Sequence, residues 1–201
     1  MPVGATCVTY PVYRGYGRIT GNFGKVTKPC NAGNLALMER EISAGGVVLR
    51  KRDGEWWIAA IELPEVIERA ANPVKRGSKT AKPVLALPKG AVDPGEKPVE
   101  TALREVYEET GVTAGVITKL GDIKYIYTRT WAGGERVFKI VSFYLMGYRS
   151  GRINDIAAEM RIEVGRALWL KLDDAARLLA YKGEKQMVRK AKEYLDEHPE
   201  P

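Results

Sequence analysis

Histidine and cysteine are scarce in this sequence. Its 201 residues contain one histidine, His198, close to the end, and two cysteines, Cys7 and Cys30. Ser-His-Asp catalysis, Cys-His catalysis and zinc sites with several histidines are hard to build from so few of these residues. The cysteines form no CxxC pair, so we expect two incidental thiols rather than a disulfide framework. Any catalysis must rest on carboxylates, lysines or a metal held by oxygen.

Long apolar runs are absent too. The longest, Trp56 to Ile61, has six residues, whereas a membrane-spanning helix needs about 20. The first residues lack the charged and then apolar pattern of a signal peptide. We therefore expect a cytoplasmic protein with no membrane partner, and its length suits a single globular domain.

The formal net charge of +7 is unevenly distributed. Residues 1–38 hold four basic residues and no acidic one, and residues 69–83 hold five basic residues and no acidic one. The rest of the chain is slightly acidic. This distribution predicts a flexible basic arm at 1–38 and a domain at 39–201 that carries an inserted basic loop at 62–83. Both basic segments are suited to attracting polyanions, nucleic acid included.

Apolar patterning predicts a mixed α/β layout in which helices pack on a sheet. Asp53-Gly54 between the first two β-prone runs predicts a hairpin turn. Pro98 and Gly111 are typical first-turn and C-terminal cap residues and bound a central helix. We expect strands at 42–49, 56–61, 84–87, 116–127, 136–148 and 167–172, and terminal helices at 173–181 and 184–197.

The central helix brings three glutamates together. At about 100° per residue, Glu105, Glu108 and Glu109 lie on neighbouring positions of one side. Like charges at this spacing weaken an isolated helix, so the run is either a solvated acidic face or a site for a cation. A glycine turn, Lys89-Gly90, precedes it and adds a backbone carbonyl. Magnesium prefers such an all-oxygen environment and keeps positions for water and substrate phosphate.

The stretch from Gly90 to Val112 resembles the Nudix box of the Nudix hydrolase family. The box reads Gly, five residues, Glu, seven residues, then Arg-Glu-apolar-any-Glu-Glu-any-Gly-apolar, and the chain agrees with it at every defined position. The resemblance extends more loosely over about 39–196. It implies an α/β/α sandwich around a mixed sheet, and hydrolysis of a pyrophosphate linkage in a nucleoside diphosphate derivative with Mg²⁺, or Mn²⁺, as cofactor.

The resemblance also implies roles for single residues. The metal ligands would be three carboxylates and one carbonyl oxygen, from Glu105, Glu108, Glu109 and Gly90. Glu96 and Arg104 would hold the loop and orient the ligands. Lys89 would contact substrate phosphate, although a structural salt bridge with an acid is an equal alternative.

The identity of the general base stays open at this point. Glu163 is the first candidate and Glu159 the second, although each also fits a solvated surface acid. Glu109 or another box glutamate such as Glu105 is an alternative, because a base needs only hydrogen-bond reach to the attacking water and a suitable pKa.

The substrate is the least determined part of the prediction. Aromatic residues after the box are either core residues or stacking surfaces for a base: Tyr125, Tyr127, Trp131, Phe138 and Tyr144. The ADP-ribose branch of the family has a proline where this chain has Tyr127 and Thr128, which argues against ADP-ribose as the substrate. The Leu-Pro-Lys-Gly before the box, residues 139–146 and Trp169 are similar to hydrolases of dinucleoside polyphosphates, diphosphoinositol compounds and oxidised nucleotides.

We therefore expect a nucleoside or dinucleoside polyphosphate as substrate. Two alternatives remain open: a pyrophosphohydrolase acting on the 5′ end of RNA, and a non-catalytic nucleotide-binding module. The intact set of three box glutamates argues against the second. A homodimer is a reasonable expectation from the resemblance.

Overall fold

The computed structural model describes residues 38–64, 83–129 and 134–198. Most of the predicted arm and inserted loop, and also Trp131, therefore lie outside the described residues. The elements, in chain order, are β1 (Glu39–Arg52), β2 (Glu55–Glu62), β3 (Leu85–Ala86), β4 (Lys89–Ala91), α1 (Pro98–Thr110), β5 (Val112–Arg129), β6 (Glu135–Gly151), a 3₁₀ helix (Ala158–Ile162), β7 (Arg166–Lys171), α2 (Leu172–Leu178) and α3 (Lys182–Glu197).

The strands form one mixed sheet with helices on both faces. Its order is β3-β2-β1-β6-β5, with β4 paired to β1 and β7 paired to β2. The β1–β6 pair is parallel, and the other pairs are antiparallel. On one face Val47 and Phe143 pack with residues of α2 and α3. On the other face Val48 packs with Ala102 and Val106 of α1. The predicted α/β/α sandwich is confirmed.

Turn and cap residues in the sequence predicted the first hairpin and the ends of the central helix correctly. The first hairpin turns at Asp53 and Gly54, with φ of 52° and 80°. Helix α1 begins at Pro98 and ends at Thr110, and it is capped by Gly111, whose φ of 77° is left-handed and whose N–H donates to Tyr107 O. The caps act within a few residues of the chain, so they can be recognised in the sequence.

The predicted start of one strand was wrong, and two short elements were not predicted. Strand β5 begins at Val112, directly after the helix, because it pairs with β6 from Gly151 onward. Strand β4 was not predicted, since its three residues are held by pairing with β1 and are too few to show a period. The 3₁₀ helix at Ala158–Ile162 was also not predicted.

The last helix is amphipathic rather than uniformly apolar. Met187, Val188, Ala191 and Leu195 form its buried stripe.

Of the helices in the described ranges, none combines the length and the hydropathy that crossing a membrane requires.

Candidate active site

Helix α1 turns two of its glutamates toward the sheet. Glu105 and Glu109 are only 8% and 5% exposed. They lie one and two turns after the buried Thr101, beside the apolar stripe that contains Val106. Glu108 lies closer to solvent, with 35% of its side chain exposed. The alternative of a solvated acidic face is therefore wrong for Glu105 and Glu109.

Gly90 lies against the carboxylate of Glu105. Strand β4 carries Gly90 past the helix because Gly90 pairs with Ala44 of β1. A Cβ built on Gly90 would lie well within 3.0 Å of the carboxyl carbon and both carboxyl oxygens of Glu105. A side chain at residue 90 would therefore displace the Glu105 carboxylate, so glycine allows this carboxylate to lie against the backbone.

Arg104 joins the helix to the loop that precedes it. Its Nη1 donates to Glu105 Oε1 at 2.6 Å and to Glu108 Oε2 at 3.2 Å. Its Nε and Nη2 donate to the two oxygens of Glu96 at 3.0 and 2.9 Å, a bidentate pair of the strong, charge-assisted kind. Nη2 also donates to Ala91 O at 3.1 Å. The geometry suits the supporting roles predicted for Arg104 and Glu96.

Glu96 is held by several donors. Besides the arginine, Thr101 Oγ1 donates to Glu96 Oε2 at 2.7 Å. These hydrogen bonds, that from Arg104 first, lower the pKa of Glu96 to about 2 and outweigh its partial burial. Glu96 is thus firmly ionised and stabilises the loop as an acceptor.

Buried negative charge accumulates at the other carboxylates. Burial is the main reason that the pKa of Glu105 rises to about 7, with Glu108 and Glu163 adding to the rise and Arg104 opposing it. Burial likewise raises the pKa of Glu109 well above its ordinary value, against the opposing charge of Lys89. The site therefore holds more carboxylate than its own cations neutralise.

A cleft opens beside these carboxylates. It is lined by Ala91, Asp93, Arg104, Glu105, Glu108, Met160 and Glu163. Glu163 follows the 3₁₀ helix as its C-cap, whereas Glu159 is exposed and is not among the lining residues. The structure thus brings Glu163, and not Glu159, to the box glutamates.

Lys89 lies behind the cleft and contacts two buried glutamates. Its backbone N–H donates to Glu109 Oε2 at 2.8 Å. Its Nζ lies 3.3 Å from Glu184 Oε1, and the lysine side chain keeps 26% of its exposure. Leu87 N–H donates to the other oxygen of Glu184 at 2.9 Å. The salt-bridge alternative is present in the structure, and the phosphate contact stays a prediction.

Glu184 was not predicted as a site residue, although the sequence carries a signal for it. It occupies the same stripe of α3 as Met187, Val188 and Ala191, and is 2% exposed. An acid in phase with an apolar stripe points to a buried, partnered carboxylate.

The donor set fits a hard divalent cation by its chemistry. Within the described part of the chain, no three His, Cys, Asp or Glu side chains stand together as a ready ligand set. Arg104 Nη1 donates to both Glu105 and Glu108, and the Lys89 N–H donates to Glu109. The available donors are oxygens with surplus negative charge beside a glycine backbone, the combination that Mg²⁺ favours.

A second group of polar residues lies on the opposite sheet face to α1. The pairings Glu41↔Lys139 and Tyr125↔Lys139 place these side chains on one face. Lys139 Nζ lies 3.4 Å from Glu41 Oε2, and Tyr127 donates to the same oxygen at 2.8 Å. Tyr125 is 41% exposed and its ring centroid lies 6.3 Å from that of Tyr127. Glu41 and Lys139 were not singled out as site residues, because their partners are distant in sequence.

Of the other aromatic candidates, Phe138 and Tyr144 are half-buried. Tyr144 packs partly against the core that includes α1. Tyr144 is thus in part a core side chain, as the competing interpretation expected.

The chain is similar to known proteins over most of its length. A family model, the NUDIX domain, matches residues 44–191, a range that contains the whole box. The chain is 33% identical over 156 residues to the putative mutator protein MutT4 of Mycobacterium tuberculosis, covering 78% of this chain and 56% of that protein. It is 32% identical over 111 residues to the asymmetrical bis(5′-nucleosyl)-tetraphosphatase of Sus scrofa, covering 54% of this chain and 69% of that protein.

A solved structure shows the same fold. The crystal structure of a C. elegans Ap4A hydrolase binary complex matches with a TM-score of 0.54 and 22% identity, covering 78% of this chain and 98% of that one. The family model spans most of the chain. The chain belongs to the Nudix hydrolase family.

Proposed function

We propose that this protein hydrolyses a pyrophosphate linkage in a nucleotide, with Mg²⁺, or Mn²⁺, as cofactor. The observation that carries the proposal is the burial of Glu105 and Glu109 beside Glu108, with Gly90 packed against Glu105. Buried like charges destabilise a fold. A cation that binds between them removes that cost, and a module that only binds nucleotide has no need of such an arrangement.

The chain's own residues would hold the ion through Glu105, Glu108, Glu109 and the carbonyl oxygen of Gly90. When bound, such an ion neutralises charge that develops on phosphate oxygens and lowers the pKa of water. Arg104 keeps the first two carboxylates in place, and Glu96 in turn keeps Arg104 in place.

Glu163 is the general base in this proposal. It lines the cleft with Glu105 and Glu108, so its carboxylate is placed to accept a proton from the water that attacks phosphorus. Glu109 and Glu105 are the alternatives. Glu109 lies deeper, bound to the Lys89 N–H, so it is the less accessible of the three to water.

The substrate we favour is a nucleoside or dinucleoside polyphosphate. Lys89 and Lys139 lie close enough for the charge of Lys89 to lower the pKa of Lys139, although burial is the larger cause. Lys89 keeps 26% of its side chain exposed and can attract phosphate, whereas Lys139 is 5% exposed and paired with Glu41. The half-exposed Tyr125 on the same face offers a ring on which a base can stack. The name of the Sus scrofa relative, a nucleosyl-tetraphosphatase, points to the same class.

The test is a substrate panel with the full chain. Turnover of diadenosine tetraphosphate, 8-oxo-dGTP, dGTP, ADP-ribose, a diphosphoinositol compound and 5′-triphosphate RNA is measured with Mg²⁺, with Mn²⁺ and with EDTA. We expect the tetraphosphate to have the highest kcat/KM by about tenfold, and EDTA to abolish turnover. Glu105→Gln should be inactive, whereas the matched exposed control Glu159→Gln should retain activity.

The outcome distinguishes the alternatives. RNA as the best substrate, with a steep salt dependence that free nucleotides do not share, would favour action on RNA 5′ ends. An absence of metal-dependent turnover on every compound would overturn the proposed function.

A further inference from the structure

A single residue, Asn154, joins three parts of the molecule around Glu163. Its N–H donates to the carbonyl of Thr110, the last residue of α1, at 2.8 Å. Its side-chain Oδ1 accepts from Ala167 N–H of β7 at 2.9 Å. The same Oδ1 accepts from Arg161 Nη1 at 2.9 Å. The catalytic helix contacts the backbone of Asn154, and the last strand and the segment before Glu163 contact its carboxamide.

Arg161 closes the arrangement around Glu163. Its Nη2 donates to Asn154 O at 2.8 Å, and its Nη1 donates to Gly165 O at 3.2 Å. One guanidinium, two residues before Glu163, therefore binds a carbonyl two residues after it. Arginine suits this task because its donors form a rigid planar fork.

The loop itself can lie so close to α1 only because of glycine. A Cβ on Gly111 would be 2.5 Å from Asp155 O and 2.7 Å from Arg152 O, in a residue whose φ is already +77°. Asn154 has a φ of +71°, a left-handed conformation that asparagine tolerates better than most residues. The loop is thus docked on the helix end by backbone geometry and fastened by Asn154 and Arg161.

We propose that Asn154 and Arg161 form a clasp that positions the Glu163 carboxylate opposite Glu105 and Glu108 for the chemical step. The inference rests on the proposed function through the role of Glu163. Asn154 and Arg161 are positioning residues: Glu163 lines the cleft, whereas neither residue of the clasp does. The clasp therefore governs kcat more than substrate affinity.

The decisive variant is Asn154→Gly, which permits the left-handed backbone and removes only the carboxamide. We expect kcat to fall about tenfold or more for Asn154→Gly and Arg161→Ala, with KM within about twofold of the original. Asn154→Asp keeps the acceptor oxygen and should restore kcat to within about threefold. Arg152→Ala, an exposed arginine on the same loop, is the matched control.

A double-mutant cycle tests whether the clasp acts through Glu163. In a Glu163→Gln background, Asn154→Gly should lower kcat by no more than about twofold further. An additive effect would overturn the positioning role, and so would a Glu163→Gln variant with unchanged kcat.

A second readout does not depend on turnover. Hydrogen exchange of Glu163 and Val164, whose amides donate to Met160 O, should be about tenfold faster in Asn154→Gly while that of α1 is unchanged. Unchanged exchange at Glu163 and Val164 would overturn the clasp even if the enzyme is active. Absence of turnover in the original protein would contradict the proposed function. Hydrogen exchange would still show whether the clasp holds the segment around Glu163.

Discussion

No side-chain atom fits between Gly90 and Glu105. The Glu105 carboxylate occupies the space where a Cβ of residue 90 would stand, so helix α1 and strand β4 are in contact through a carboxylate and a bare backbone. This contact aligns a carboxylate with a backbone segment 15 positions earlier in the chain.

Gly90→Ala should therefore displace Glu105. We expect kcat/KM to fall about 100-fold, because a shift of about 1 Å in a catalytic group has an effect of that size. The free energy of unfolding should change by less than about 1 kcal/mol, because the atoms that must move are the end of a flexible side chain and not a packed core. Steady-state kinetics and urea unfolding measure the two effects.

Gly147→Ala is the matched control for this substitution. A Cβ there would lie 3.7 Å from Ile117 Cδ1, an ordinary contact. Equal losses of activity in the two variants would contradict the steric account of Gly90.

Glu105 should make the metal-free protein less stable as pH rises. Its pKa is about 7 in the folded protein and near 4.5 without burial, so between these values the folded state binds more protons than the unfolded state. The free energy of unfolding then falls across this window by at most about 3 kcal/mol. In EDTA, Glu105→Gln should remove this fall and be more stable than the original protein at about pH 8.

Urea unfolding in EDTA across pH 4.5–7 checks the slope. If the free energy of unfolding changes with pH in the same way for Glu105→Gln and the original protein, the predicted role of Glu105 is contradicted. Addition of Mg²⁺ should stabilise the original protein and not the variant, since binding to the folded state raises its stability.

Glu96 should have the opposite pH dependence. The hydrogen bonds from Arg104 and Thr101 lower its pKa to about 2 from 4.5, so its contribution is complete above 4.5 and is lost as pH falls toward 2. Glu96→Gln should lower the free energy of unfolding at neutral pH by about 1–3 kcal/mol. It should also make this free energy less dependent on pH between 4.5 and 2. Urea unfolding measures the first effect and acid titration followed by circular dichroism measures the second. Glu100→Gln, in the first turn of α1 with 53% of its side chain exposed, is the control.

Substitutions at Lys89 and Glu184 can show whether Lys89 contacts substrate phosphate or only forms a structural ion pair. Lys89→Met leaves a buried carboxylate without its cation and should destabilise the fold by about 3–5 kcal/mol. Lys89→Met combined with Glu184→Gln removes both charges, keeps an acceptor for Leu87 N–H, and should recover most of the stability. If Lys89 contacts phosphate, KM should rise about tenfold in both variants.

A normal KM in the double variant would contradict the phosphate contact. Urea unfolding and steady-state kinetics on the same preparations give both quantities. Glu184→Gln alone should leave KM near the original value.

Prediction from sequence succeeded where the signal is local. Helix α1 could be bounded because Pro98 and Gly111 act within a turn of its ends, and the hairpin at Asp53-Gly54 follows the same logic. It failed for β4, Glu184 and Lys139. Their environments depend on segments far away in the chain, such as β1 for β4 and Lys89 for Glu184.

The sequence by itself determined the chemistry that is available. Helical spacing places Glu105, Glu108 and Glu109 together whatever the helix packs against, and the box identifies the family. Only the tertiary structure decided which carboxylates lose water and which base candidate reaches them. Burial and distance depend on how β4 and the loop that carries Glu163 pack on α1, and the close contact at Gly90 and the Asn154 clasp join segments that the linear order keeps apart.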